Sequence, residues 1–353
     1  MNEAPLRIAV IGAGLIGQKH AALVAAHPGS LLAGICDIEP GRASIAAHHG
    51  APFFTEIGAM LDATAPDGAI IATPNALHAQ AADACAARHI HMLIEKPIAD
   101  TVTSARRIAE IAEAAGVRVL VGHHRRHNPL VQAARGVVQE GDLGRLVGVA
   151  VHWMLKKPDD YFDVLWRGRR PGGGPALINL IHYIDNLRFI CGEIDRVYAQ
   201  TSSAVRGLPV EDALSVSLRF ANGALGTILA ADSTPAPWSY ELTSGENSVY
   251  PQVNENCYFF TGARGALSFP RLSFWRYPAG EPGGWHHPLQ ESRLTVTAAD
   301  PLERQLAHFC RVIRNREGPL IDARDATSSL AVVLAILESA ETGQAVELGE
   351  DLL

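Results

Sequence analysis

Residues 93–97, Leu-Ile-Glu-Lys-Pro, end an apolar run on a carboxylate, an ammonium and a proline. Charges are seldom buried without partners. The run therefore reads as a core strand whose mouth opens on a ligand, where Lys96 can stabilise negative charge growing on an oxygen. A second group fit for chemistry is His182. It stands three positions before Asp185, three after Asn179 and four after Ile178, spacings that share one helix face. An imidazole titrates near neutral pH and suits removal of a hydroxyl proton. Trp166, Arg167 and the triplet Gly172–Gly174 lead into this helix, which is expected to begin near Pro175. A third constellation is Gly12, Gly14 and Gly17 in GAGLIG, with Asp37 following 20 residues after Gly17.

The elements that must position these groups are legible. LRIAVI (6–11) lacks polar alternation and suits a strand buried on both faces of a parallel sheet. A helix over Gln18–Ala26 and a strand over Leu31–Cys36 complete a βαβ unit with G-x-G-x-x-G at its first turn. Gly12 permits the tight turn, Gly14 lets backbone approach a pyrophosphate, and Gly17 lets helix and strand pack closely. The helix start, with Leu15 and Ile16 inside the motif, offers N–H groups to phosphate. Asp37 is placed to bind ribose hydroxyls, and its charge repels a 2′-phosphate, which favours NAD over NADP. Arg42 is the nearby residue that would instead serve a phosphate. Strand and helix runs alternate on to VRVLVG (117–122), which predicts an open, doubly wound parallel sheet with ligands at the strands' carboxyl ends. TPN (73–75) and EKP (95–97) both stand at such ends, and a cis Lys96–Pro97 bond is compatible with this placement.

From residue 124 the pattern changes. A helix over Pro129–Gln139 and a long strand over 145–155 precede strand runs at 196–204, 213–220, 224–231, 256–262 and 266–269. Asn222-Gly223 marks a hairpin. Asp300-Pro301-Leu302-Glu303 opens a helix whose stripe of Leu302, Leu306, Phe309 and Ile313 is core, and a last helix runs near Ala326–Glu341. The expected division is a dinucleotide-binding domain over 1–123 and an α+β domain with a large, mostly antiparallel open sheet over 124–353.

A chain of 353 residues carries two cores comfortably. A net charge of −7 with mixed signs argues against nucleic acid as partner. The five cysteines form no Cys-x-x-Cys pair and read as small core residues, so no metal site is expected. No signal-peptide pattern or bilayer-length apolar run is present, so a cytoplasmic protein without a membrane partner is expected.

With these residues in view, the chain resembles the glucose–fructose oxidoreductase / inositol dehydrogenase / rhizopine catabolism family of NAD(P)-dependent dehydrogenases. The resemblance runs over essentially the whole length. It rests on GAGLIG (12–17), CD (36–37), TPNALH (73–78), EKP (95–97), GHHRRHNP (122–129), WR (166–167), and GGG followed by H-x-x-D (182–185). It implies that Lys96 is the catalytic lysine and His182 the acid/base. It also implies that Thr73, Asn75, His78, Glu95, Pro97 and His124 line the cofactor site. Trp166 and Arg167 would reach the cofactor from the second domain, while Arg125, Tyr161 and Asn179 would meet substrate. Members are commonly dimers or tetramers joined through the open face of the second sheet. One departure stands out. Many sugar and cyclitol dehydrogenases of the family carry an aspartate four residues before the histidine, and here that residue is Ile178. This argues against a simple inositol or glucose substrate.

The leading expectation is oxidation of a secondary alcohol of a sugar, cyclitol or related hydroxylated ring, or reduction of the ketone. A carboxylated ring, such as a cis-dihydrodiol acid, is the alternative, resting on Arg125, Arg126, Arg167, Arg169 and Arg170. Glycoside cleavage begun by the same hydride step is a further enzyme reading. A non-catalytic NAD-binding sensor is the remaining one, with Ile178 its only support.

Overall fold

The structure is a computed structural model that describes residues 4–349. The chain divides into two compact units. One runs to His124 and takes in Leu302–Leu330; the other is Arg125–Pro301 with the segment from Ala331 onward.

The first unit begins with β1 (Leu6–Ile11), α1 (Leu15–Ala26), β2 (Ser30–Cys36), α2 (Ala43–His48), β3 (Phe53–Phe54) and α3 (Ile57–Thr64). It continues with β4 (Gly68–Ile71), α4 (His78–Ala86), β5 (His91–Ile94), α5 (Val102–Ala115) and β6 (Val119–Val121). The strands form one parallel sheet in the order β3-β2-β1-β4-β5-β6. Its order reverses between β1 and β4, so the loops after those two strands border the ligand crevice of a doubly wound sheet. Ile70, Ile71, Leu93 and Ile94 are wholly buried, as uninterrupted apolar runs in a sheet covered on both faces must be. α5 is bounded by its own chemistry. The Thr101 hydroxyl accepts the Ser104 N–H, and Gly116 closes the helix in the left-handed region.

The second unit holds α6 (Pro129–Gln139), β7 (Leu146–Met154), α7 (Ile181–Cys191), β8 (Ile194–Ser202), β9 (Ala213–Phe220), β10 (Leu225–Ala231) and the short α8 (Tyr240–Thr243). β11 (Tyr258–Gly262), β12 (Ala266–Phe269), β13 (Ser273–Arg276) and β14 (Gln290–Arg293) follow. After α9 (Pro301–Ile313) and α10 (Ala323–Thr342), β15 (Val346–Glu347) adds the last edge. Nine strands pair in the order β14-β13-β12-β11-β7-β10-β9-β8-β15, and β7–β10 is the parallel contact. On β9, Leu214, Val216, Leu218 and Phe220 face inward while Ser215 and Ser217 face out. That alternation is what a sheet with one covered face requires. Beneath the covered face, Tyr183 of α7 stacks on Tyr258 at 5.4 Å between ring centroids, beside buried Trp153, Phe260 and Phe269.

Three features differ from the sequence expectation. Helix α9, expected in the second domain, belongs to the first unit. A Cβ added to Gly68 at the start of β4 would lie 2.7 Å from Ile313 and 3.1 Å from Phe309. An apolar stripe announces burial but not the surface it will meet. Strands β13 and β14 carry no alternating pattern; β14 is exposed at every residue. The helix expected near Pro175 begins instead as a π turn, Ala176–Leu180, before α7.

Candidate active site

The loop between β1 and α1 carries Gly12 and Gly14, with Gly17 on the first turn of the helix, and the three meet different surroundings. Gly12 has φ +95°, and a Cβ there would lie 2.6 Å from the Ala72 carbonyl oxygen. A Cβ on Gly17 would lie 1.9 Å from the Gly12 oxygen. Gly14, by contrast, has nothing within 4 Å of its added Cβ. Two glycines are thus spent on packing and the middle one on open space, the division of labour a pyrophosphate needs. Gly14 caps α1 without a side-chain hydrogen bond, and no acidic residue stands in the first turn, so the helix dipole faces outward undiminished. Leu15 is 83 % exposed at that edge, and Ile16 lies half-buried behind it.

Asp37 directly follows β2, with both oxygens engaged by backbone: Oδ2 accepts the Ala13 N–H at 2.6 Å and Oδ1 the Glu39 N–H at 2.9 Å. The carboxylate therefore ties β2 to the glycine loop. After β4, the Thr73 Oγ1 is buried and has no hydrogen-bond partner among the described residues. Buried polar atoms are normally satisfied, so this hydroxyl fits a site that a ligand completes. Asn75 is half-buried on the same loop. His78 is wholly buried, and its two ring nitrogens meet the carbonyls of Ile98 (3.1 Å) and Thr73 (2.9 Å). Burial lowers its pKa against the pull of those carbonyls. It thereby links the loop after β4 to the chain just past Pro97.

The EKP stretch divides its labour similarly. Glu95 is 6 % exposed. Its Oε1 lies 2.7 Å from Nε2 of His20, buried on α1, and its Oε2 accepts the Lys96 N–H at 3.1 Å. Gly122 makes room: an added Cβ would lie 3.0 Å from Glu95 Oε2. Lys96 and Pro97 are half-buried at the strand mouth, and the bond between them is cis. Burial pushes the Glu95 carboxyl up. The His20 hydrogen bond and the positive charges of His20, Lys96 and His124 more than offset this and hold it at about 2. A carboxyl depressed on folding contributes stability above its unfolded pKa, and that contribution is lost as pH falls through the folded value. Unfolding midpoints in urea between pH 5 and pH 2 should therefore fall more steeply for the native chain than for Glu95→Gln. Parallel curves would exclude a stabilising ionised Glu95.

In the second unit, His182 is 8 % exposed on the first turn of α7. Ile178 and Asn179 are half-buried on the preceding π turn, and Asn179 Oδ1 is a buried acceptor with no hydrogen-bond partner among the described residues. Asp185 forms a bidentate pair with Arg126, Oδ2 to Nε at 3.0 Å and Oδ1 to Nη2 at 2.8 Å. Arg125, expected to meet substrate, already has partners within its own unit. Its buried guanidinium donates to Glu241 at 2.8 Å and lies over the Tyr240 ring at 4.2 Å, with Glu246 beyond. Glu241 also accepts from Trp153 and Tyr183, so this charge is answered inside the protein. Arg167 donates to the Tyr161 carbonyl at 3.0 Å and stacks on the Tyr161 ring at 4.2 Å. Lys157 Nζ stands over the same ring at 4.6 Å. Trp166 is 54 % exposed. A groove of about 730 Å³ elsewhere in this unit is lined by Asn128, Thr243, Glu246, Arg271 and Arg293, and includes neither His182 nor Asn179.

The sequence reading passed over His20. Its position three after Gly17, on the face that packs toward the sheet, was the available signal. It also passed over Glu211 and Glu241, which carry no local signal. The five cysteines are buried, and burial raises Cys36 to about 11 and Cys85 to about 12, so none is a poised thiolate. Among the described residues no group of three or more His, Cys, Asp or Glu side chains could hold a metal ion, and no helix is long and apolar enough to cross a membrane.

Comparison with known proteins agrees with this geometry. Residues 6–123 match the oxidoreductase family with NAD-binding Rossmann fold, GFO_IDH_MocA, and residues 131–268 match a GFO/IDH/MocA C-terminal domain. D-xylose 1-dehydrogenase (NADP(+)) 2 of Haloferax volcanii is 27 % identical, over 90 % of this chain and 91 % of that protein. D-glucoside 3-dehydrogenase of Escherichia coli is 26 % identical over 99 % of each. The WlbA dehydrogenase of Bordetella pertussis, solved in complex with NADH and UDP-GlcNAcA, superposes with a TM-score of 0.79 at 26 % identity, covering 98 % of this chain and 99 % of that one. The chain belongs to the Gfo/Idh/MocA family and is an NAD(P)-dependent oxidoreductase acting on CH–OH groups.

Proposed function

We propose that this oxidoreductase interconverts a secondary alcohol and a ketone on a sugar or related polyhydroxylated ring, with NAD as the preferred dinucleotide. The observation that carries the substrate class is Asn179 Oδ1, a buried and unpartnered acceptor one turn before His182. A hydroxyl donor satisfies it, and a site built to bind a hydroxyl rejects analogues that lack one. A nicotinamide held in this site would supply the hydride acceptor or donor. His182 takes the hydroxyl proton, and Lys96 lends its positive charge to the oxygen as that proton leaves. Glu95 and His20 hold the backbone from which Lys96 projects. Gly12, Gly14 and Gly17 seat the pyrophosphate, Asp37 the adenosine ribose and Thr73 Oγ1 a ligand oxygen. Ile38, 79 % exposed beside Asp37, offers an apolar surface to the adenine face. Trp166 and Arg167 complete the reading as cofactor contacts, and Tyr161 as a substrate contact. The exposed Val147, Tyr198, Leu225, Leu229 and Phe259 suit the open sheet face to a second copy of the chain.

The carboxylated-ring alternative loses most of its support, because Arg125, Arg126 and Arg170 already face Glu241, Asp185 and Glu211. One experiment tests class and cofactor together. NADH and NADPH formation is followed over aldoses, cyclitols, glycosides, sugar acids and dihydrodiols, for the native chain and Asp37→Ala. The expected result is turnover with a neutral sugar or cyclitol, NAD preferred, and relaxed discrimination in Asp37→Ala because the like-charge repulsion is gone. Equal or better NADP use by the native chain would sink the Asp37 assignment. Turnover confined to acids would sink the neutral-ring one.

A further inference from the structure

His182 stands two residues past the π turn, which is closed by the Ile181 N–H reaching back to the Ala176 carbonyl. Such a turn holds one residue more than an α turn. It is rare in proteins and recurs at functional sites. Its anchor here comes from elsewhere in the unit. Glu211, just before β9, is 5 % exposed, and its Oε1 accepts the Ala176 N–H at 3.0 Å. Pro175 has no N–H, so Ala176 is the first donor of the turn. The chain before it makes way for the carboxyl. Gly174 has φ +91°, and an added Cβ would lie 2.6 Å from Glu211 Oε1. Arg170 Nη2 approaches Oε2 at 3.5 Å from a half-exposed position.

We propose that Glu211 is a positioning residue, whose carboxyl holds the first N–H of the π turn and so fixes how Ile178 and Asn179 are rotated relative to His182. This rests on the reading of Asn179 and His182 as the substrate-facing pair. Without the anchor the turn relaxes toward α geometry, and each residue dropped from a turn rotates what precedes it by about 100°. Asn179 then leaves the direction from which it meets the reacting ring. Burial raises the Glu211 pKa against the Ala176 N–H and Arg170. An amide in its place therefore keeps the acceptor and discards a charge that burial already disfavours.

The test compares Glu211→Ala with Glu211→Gln, using His182→Ala as reference. It measures kcat and KM, dinucleotide Kd, and amide hydrogen exchange over residues 174–182. Glu211→Ala is expected to lower kcat by about 10- to 100-fold, the scale of a small misplacement. Dinucleotide Kd should stay unchanged, and exchange at 176–181 should quicken. Glu211→Gln should recover most of kcat and the native exchange. Native kcat per folded molecule in Glu211→Ala, or a Gln variant as impaired as Ala, overturns the proposal. A fully active His182→Ala instead overturns the reading of the helix. In that case the exchange data still decide whether Glu211 holds the turn: unchanged exchange in Glu211→Ala overturns the proposal as well.

Discussion

Lys96→Met is expected to fold, to bind the dinucleotide as the native chain does, and to turn over very slowly. The side chain keeps its length and loses only its ammonium. If that charge steadies the oxygen from which a proton departs, its loss raises the barrier and leaves the ground state intact. His182→Ala removes the proton acceptor, and a positioned acid/base contributes roughly 10²–10⁴-fold. The double variant should be far less than multiplicatively worse, because groups that act as one unit are not additive. A structural role for Lys96 predicts the opposite pattern, a lower unfolding temperature with turnover per folded molecule preserved. Rate, dinucleotide Kd and thermal unfolding on the same samples separate the two. Near-normal turnover from a stable, dinucleotide-binding Lys96→Met protein would refute the catalytic assignment.

What was legible in the sequence is what local pattern controls. The run LRIAVI, the three glycines and Asp37 define a βαβ unit, because strand burial, turn geometry and helix packing all act within 40 residues or so. The structure gives Gly12 and Gly17 a steric reason each and leaves open space beside Gly14. Lys96 at the mouth of β5 was equally readable, from an apolar run that stops abruptly. Long-range pairing was not. No local pattern announces that His20 is brought against Glu95 from 75 residues away. The partner of Arg125, offered from the sequence as a possible carboxylate binder, is Glu241, 116 residues on, and no local pattern announces it. Helix α9 shows its apolar stripe, but the surface it covers, around Gly68, lies more than two hundred residues earlier. The π turn was hidden for a different reason. It follows from an anchor at Glu211 and from room made by Gly174, whereas spacing counts over 178–185 assume an unbroken α-helix.

Asp185, the last residue of the H-x-x-D motif, sets the second large effect. Three residues after His182, it invites a role in orienting the imidazole. The structure commits both of its oxygens to Arg126, with Asp185 1 % exposed and Arg126 4 %. Asp185→Ala leaves a guanidinium buried against Phe189 without its counter-charge. Breaking a buried pair by removing one partner costs about 3–5 kcal/mol, far more than the pair's own net worth. Asp185→Asn should be nearly as damaging, since an amide supplies one acceptor and no charge. Replacing both partners with apolar residues of similar volume, Arg126→Met with Asp185→Leu, should recover most of the loss, because neither desolvation penalty remains. The discriminating measurement is unfolding in urea for the two single variants and the double, with turnover scored per folded molecule. A double variant less stable than either single one would show that the site depends on the ion pair's geometry rather than on mutual neutralisation. An Asp185→Ala protein of native stability with turnover lowered to the His182→Ala level would place Asp185 in the catalytic group.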